Sequence, residues 1–293
     1  DGTNWTTSPA TLATARRYTS GFGSGTAGVI AGGSTPGITG ATEEYNSNLN
    51  TTISAAWASG GNLNTGNLGM GSAGIQTAAL SAGGYNGTNI TQTEEYNGSG
   101  WASGGAMNTA RRYPGSTGTQ TAALVFGGFP PALTTTESYN GSSWTTVNSM
   151  GTARYQIGGA GIQTAALAFG GGLPGKSTVT EEFDGTNWTA GGALNTSRLA
   201  LGGAGIQTAA LAFAGNITPG NTTATEEYNG SSWTSVNSMN TSRDTLAGSG
   251  TQTSALAFGG GLSAATESWN GTSWATTASL GTARYGLGGA GAD

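Results

Sequence analysis

Ten glutamates, at positions 43, 44, 94, 95, 137, 181, 182, 226, 227 and 267, are the first candidates for chemistry. A pair of carboxylates is what a glycosidase uses as acid and base. Here the pair recurs in near-identical surroundings, as in Thr93-Glu94-Glu95-Tyr96 and Thr180-Glu181-Glu182-Phe183. Equivalent positions repeated along a chain cannot all be one active site. In an extended strand, adjacent residues also point to opposite faces, which separates the two acids. An arginine recurs in step, at Arg16, Arg111, Arg154, Arg198, Arg243 and Arg284. The first Glu of each copy is therefore expected to pair with that arginine or to accept backbone N–H groups. The arginines could take an anionic sugar, but their repetition reads as structural, the planar fork fitting carboxylates and carbonyls.

Other chemistry is scarce. The chain has 293 residues with no Cys and no His. That excludes a thiolate nucleophile, a Ser-His-Asp triad and Cys- or His-held metals. No cofactor is expected. Asp184 and Asp244 are the carboxylates other than Glu within the body of the chain, and Asp184 occupies a turn position. The Gly158-Gly159-Ala160-Gly161 run superficially resembles a phosphate loop. No helix follows it and no Lys stands at the required offset, so it is read as an a–b turn. The bases number 9, scattered within a net charge of −5, which leaves no nucleic-acid footprint. No apolar run reaches the roughly 18 residues of a membrane helix. A start at Asp1 suggests a processed product or a piece of something longer. Asn-X-Ser/Thr sequons such as Asn97, Asn140, Asn229 and Asn270 read as turn chemistry copied by the repeat.

These residues sit on a template that recurs along the whole chain. Its Trp falls at 5, 57, 101, 144, 188, 233 and 274, with spacings of 52, 44, 43, 44, 45 and 41. Leu or Met follows each Trp, and the arginine comes four residues later. The second copy has Asn67 instead. Each unit predicts four short strands. Strand a follows the Arg. Strand b is a small apolar run ending in a Gly pair, as in Ala122–Phe126 before Gly127-Gly128. Strand c carries the Glu, and strand d carries the Trp. Asn-Gly between c and d, as in Asn97-Gly98 and Asn140-Gly141, is a strong hairpin signal because both residues tolerate positive φ. Almost no helix is expected.

Four strands in about 44 residues make a blade, and repeated blades make an all-β propeller whose closure protects strand edges. Small residues of strand b are expected near the crowded axis, with Trp and Tyr wedged between blades. Strands b and c each occur six times. The chain is thus read as a single domain, 1–293, of six complete blades, with units near 8–57, 58–101, 102–144, 145–188, 189–233 and 234–274. A spare d strand (1–7) and a spare a strand (282–293) leave open a seventh blade. It would be completed by residues missing from the chain or by exchange with a neighbour, so an oligomer is admissible.

Four hydrophobic residues, a Gly pair, a loop, a spaced Tyr and Trp, and a following Arg resemble the kelch repeat over the entire chain. The Tyr-to-Trp spacing, Tyr139 to Trp144, is shorter than the usual kelch spacing. The wording Thr-Ala-Ala-Leu-Ala-Phe-Gly-Gly and Thr-Glu-Glu-Tyr-Asn-Gly-Ser-Ser-Trp further resembles kelch-like proteins of marine bacteriophages, especially those of cyanobacteria. The kelch resemblance implies that the b–c loops share a face with the d–a connections. It includes copper oxidases, which the absence of His and Cys excludes here. The b–c loops are the segments that do not repeat, and loops on a rigid scaffold carry function. Candidate ligand-binding residues there are Tyr85, Phe129, Pro130, Pro131, Leu133, Leu173, Lys176 (the sole lysine) and Ile217. The expected function is a non-enzymatic structural and binding module, exposed on a virion as tail fibre, spike or capsid decoration. Its partner would be a host-surface glycan or a neighbouring virion protein, without membrane insertion. The alternatives are a polysaccharide lyase or glycosidase and an intracellular protein-interaction propeller.

Overall fold

The structure, a computed structural model, describes residues 61–277 except 76 with their side chains, residues 279 and 283, and the strands between Ser20 and Gly60 in backbone alone. Among the described residues there is no helix. Five complete blades follow one another: blade 1 (71–103), blade 2 (115–147), blade 3 (158–190), blade 4 (202–236) and blade 5 (247–277). Each pairs its strands antiparallel in the order a-b-c-d. In blade 3 these are Gly158–Ile162, Ala165–Phe169, Thr180–Phe183 and Trp188–Ala190. The register sets Phe183 opposite Trp188 across the c–d hairpin.

The expectation of six complete blades, with a seventh open, is corrected to five. The first repeat departs from the pattern that closes a blade. Its strands Ser20–Gly23, Ala27–Ala31, Thr42–Asn46 and Ala56–Gly60 pair in sheet order. Its c and d strands, however, are joined across 47–55 rather than through an Asn-Gly turn, and a ribbon of Ser34–Thr35 with Gly37–Ile38 occupies its b–c segment. The spare strand expected at 1–7, and that at 282–293 apart from residue 283, lie outside the described residues.

A second correction concerns the glycine runs. Gly158–Ile162 is strand a itself, and the a–b turn is residues 163–164. The a strands of successive blades lie side by side, and glycine permits that approach. A Cβ on Gly159 would come 2.9 Å from the Ser116 carbonyl oxygen of blade 2, and one on Gly203 would come 2.9 Å from that of Gly159. The crowding expected at strand b falls on strand a. Strand b fills the core instead: Leu124, Phe126, Leu167, Phe169, Leu211 and Phe213 are fully buried.

The large aromatics join the blades, as the repeat implies. The indole N–H of Trp144, Trp188, Trp233 and Trp274 donates to Thr93, Thr136, Thr180 and Thr225 of the preceding blade at 2.9–3.0 Å. Trp188 and Trp233 also pack on Phe126 and Phe169 of the preceding blade, with ring centroids 5.1 and 5.0 Å apart. From the a–b turns of blades 2 to 5, Gln120, Gln163, Gln207 and Gln252 each donate to two backbone carbonyls of the preceding blade. Indole, glutamine and stacked strand a give each interface apolar burial together with satisfied polar groups.

Candidate functional site

The repeated acids are occupied in the scaffold. Arg111 pairs with Glu137, and Arg154, Arg198 and Arg243 pair with Glu181, Glu226 and Glu267 at 2.8, 2.8 and 3.2 Å, every partner nearly or fully buried. The same carboxylates accept backbone N–H groups of the d–a connection: Asn108 and Thr109 on Glu137, Asn195 and Thr196 on Glu226. Burial pulls the four guanidinium pKa values down, and the facing carboxylates pull them back up. Each set ties strand c to the connection entering strand a. Asp184 closes the blade 3 c–d turn, accepting N–H bonds from Thr186 and Asn187 at 2.8 and 2.7 Å. Those bonds, Asn187's first, hold its exposed carboxyl below the ordinary range.

The repeated arginine is followed by two residues that differ among blades 2 to 5. The second of them turns the chain into strand a with positive φ: Tyr113 at 55°, Gln156 at 52°, Ala200 at 54° and Thr245 at 50°. Such values are uncommon outside glycine. Here they serve a continuous backbone chain from blade to blade. Tyr113 N–H donates to the Gly69 carbonyl, Gln156 to Tyr113, Ala200 to Gln156 and Thr245 to Ala200, at 2.6–3.0 Å. The first of the two residues pairs with the opening of its own b–c loop, Leu68 with Tyr85, Arg112 with Phe129, Tyr155 with Gly172 and Leu199 with Asn216. The b–c loops and d–a connections therefore form one rim.

On that rim the chemistry gathers at blades 1 to 3. The Arg112 guanidinium lies 4.7 Å from the centroid of the Tyr85 ring, 5.1 Å from Phe129 and 5.8 Å from Tyr113. Phe129 packs in turn on Tyr155 at 5.2 Å. All five side chains are half-buried. The set places π faces beside a cation, an arrangement that favours flat or weakly polar partners and anionic groups. Beside Tyr85, an open groove of about 590 Å³ is lined by Asn89, Ile90, Gln92, Ser103 and Ala110, among others.

The candidates named from the sequence fall into four groups. Tyr85 and Phe129 are brought together by Arg112. Lys176 and Ile217 belong to neighbouring loops, Lys176 donating to Thr218 Oγ1 at 2.7 Å. Leu173 is in the same loop as Lys176, where its N–H bonds the Gly175 carbonyl. Pro130 and Pro131 are exposed at the tip of the Phe129 loop. Leu133 is anchored by backbone bonds to Gly128 and Arg154 rather than grouped with the rings. Arg112, Tyr113 and Tyr155 were not anticipated. They directly follow the repeated arginine, and part of their wording recurs, Arg112-Tyr113 as Arg17-Tyr18 and Tyr155 as Tyr285.

No family profile and no curated protein matches the chain. Among solved structures it is similar to that titled "Structure of YjhT", with a TM-score of 0.72 over 87% of this chain and 93% of that one, at 13% identity. The chain is a β-propeller in fold. At that identity the likeness extends to the fold alone.

Proposed function

We propose that the protein is a non-enzymatic binding propeller whose rim takes a cell-surface carbohydrate, displayed on a phage particle as tail fibre, spike or capsid decoration. The observation that carries the binding reading is the Arg112 cage with Tyr85, Tyr113 and Phe129, extended by Tyr155. Aromatic faces stack on the apolar C–H faces of sugar rings, and a guanidinium supplies forked donors for hydroxyl or carboxylate oxygens. The neighbouring groove gives an extended chain somewhere to continue. The placement on a virion is supported by the resemblance of the repeat wording to marine phage proteins. The non-enzymatic reading is supported by the Arg–Glu pairs, which engage the repeated acids in the scaffold.

The test is direct binding of the purified chain to host-cell polysaccharide, followed by tyrosine and tryptophan fluorescence, with the polysaccharide analysed afterwards for cleavage. Saturable binding without product release is expected. Released oligosaccharide would overturn the non-enzymatic reading, and absence of binding would overturn the glycan reading. Immunogold labelling of intact particles with an antibody to the Phe129 loop tests the virion placement, with regular label on tails or capsids as the expected result.

A further inference from the structure

In blades 2 to 5 the buried arginine makes one repeated pattern. Its Nη1 donates to two backbone carbonyls that converge on it: Gly127 and Thr135 at 3.0 and 2.7 Å, Gly170 and Val179 at 2.7 and 2.8 Å, and Ala214 and Ala224 at 3.1 and 2.7 Å, with Gly259 and Ala265 in blade 5. Its Nη2 meets the carboxylate. The counterparts in blade 1 are the carbonyls of Gly83 and Gln92 and the carboxylate of Glu94, but the arginine is replaced by Asn67. Asn67 is too short to span the set. Its Nδ2 reaches only the Gly83 carbonyl, at 3.3 Å.

Two further facts show that the replacement leaves the position incomplete. Asn67 is 2% exposed, and its Oδ1 is buried with no hydrogen-bond partner. Glu94 is also 2% exposed, and its bonds come from neutral donors: the N–H groups of Asn64 and Thr65 at 2.7 and 3.0 Å, and Gln92 Nε2 at 3.3 Å. Among the described residues, no cationic side chain pairs with Glu94. A buried carboxylate without a counter-charge is costly. In the other four blades a guanidinium supplies that charge.

We propose that blade 1 binds a monovalent cation of about potassium size where the other blades place the guanidinium, with the Gly83 and Gln92 carbonyls, the Glu94 carboxylate and Asn67 Oδ1 as its ligands. All four are oxygens, the donors that hard cations prefer. Backbone carbonyls are also the groups that replace a potassium ion's hydration shell in selective pores. In blades 2 to 4 this carbonyl pair holds a nitrogen at 2.7–3.1 Å, wider than the roughly 2.3–2.6 Å of calcium coordination. One positive charge balances the single carboxylate. The inference is independent of what the rim binds.

The experiment is thermal melting of the whole chain in potassium chloride against choline chloride at equal ionic strength, repeated with sodium and calcium. Saturating potassium is expected to raise the Tm by about 3–6 °C, with sodium and calcium giving smaller shifts. Asn67→Arg supplies the missing guanidinium, so it should melt higher than the native chain in choline and lose the potassium response. Glu94→Gln should lose the response too. In crystals, rubidium should give an anomalous peak between Gly83, Gln92 and Glu94. Equal melting of the native chain in potassium and choline, or a potassium response that survives Asn67→Arg, would overturn the proposal. A larger shift with calcium would overturn the monovalent assignment. If Glu94→Gln fails to fold, Asn67→Arg and the rubidium peak decide.

Discussion

Across blades 1 to 3, the rim positions that follow the repeated arginine or open the b–c loops include Tyr85, Arg112, Tyr113, Phe129 and Tyr155; across blades 4 and 5 the equivalent positions hold Leu199, Ala200, Asn216, Asp244 and Thr245. The backbone does not distinguish the two arcs. Tyr113 and Gln156 on the first, and Ala200 and Thr245 on the second, share the same left-handed conformation and the same blade-to-blade N–H bonds. The scaffold asks those positions only for backbone groups, so their side chains are free to differ. One arc has accumulated rings and a cation, while the named positions of the other hold neither. Binding and stability should therefore separate under mutation. Changes to the scaffold should cost the same on either arc, and changes to the rim should matter on one.

The largest effect is expected from the scaffold. Glu181→Gln leaves Arg154 as a buried cation facing a neutral amide, and breaking such a pair costs about 3 kcal/mol. Glu226→Gln strips Arg198 in the same way on the opposite arc and should cost a similar amount. Chemical denaturation of both variants measures this. An unchanged midpoint for either would show that the pair contributes nothing to the fold, and unequal losses would break the equivalence of the arcs.

Next in size comes the rim. Arg112→Ala should weaken polysaccharide binding about tenfold, the order expected for losing a partly desolvated cation–π centre, with little change in melting. Leu199→Ala, at the equivalent position in blade 4, should leave binding unchanged. Titration of both variants with the same polysaccharide decides. If the two lose affinity equally, the aromatic arc is not the binding surface.

How far the sequence disclosed this arrangement depends on which groups repeat. The Arg–Glu pair could be anticipated because both members recur at fixed offsets, and chemistry that recurs in every blade belongs to the scaffold. Tyr85 and Phe129 were visible because they open loops that vary. Arg112, Tyr113 and Tyr155 were hidden by their neighbour, since they abut the repeated arginine and read as the beginning of strand a. Gly158–Gly161 reads as a turn because glycine has the same local signature in a turn as in a strand that must approach another backbone. Only the position of the Ser116 carbonyl, a blade away, distinguishes the two. The blade count failed for a related reason. Counting b and c motifs credits the first repeat with a full blade, whereas its c–d link lacks the Asn-Gly or Asp-Gly turn that closes the others.

The smallest effect concerns a device that alternates along the chain. The Tyr139 hydroxyl donates to the Glu95 carboxylate of the preceding blade, and Tyr228 donates likewise to Glu182. At the intervening interface the same two positions hold Ser138 and Phe183, so acid and phenol are replaced together. Between blades 4 and 5, Trp269 stands where the phenol would be, and Glu227 is pushed above the ordinary carboxylate range by burial. Burial first, and the glutamate second, raise both tyrosines to about 12. A folded-state pKa above the unfolded value near 10 contributes stability that is full below pH 10 and lost as pH rises from 10 to 12. Both side chains are buried at the blade interfaces, and the contribution changes only above pH 10, which confines the effect to alkaline solution. Urea midpoints measured from pH 9 to 12 should fall more steeply for the native chain than for the Tyr139→Phe, Tyr228→Phe double variant, whose interfaces then carry the phenyl ring that blade 3 has at Phe183. Parallel curves would remove the tyrosines from the alkaline transition and leave the buried arginines as its source.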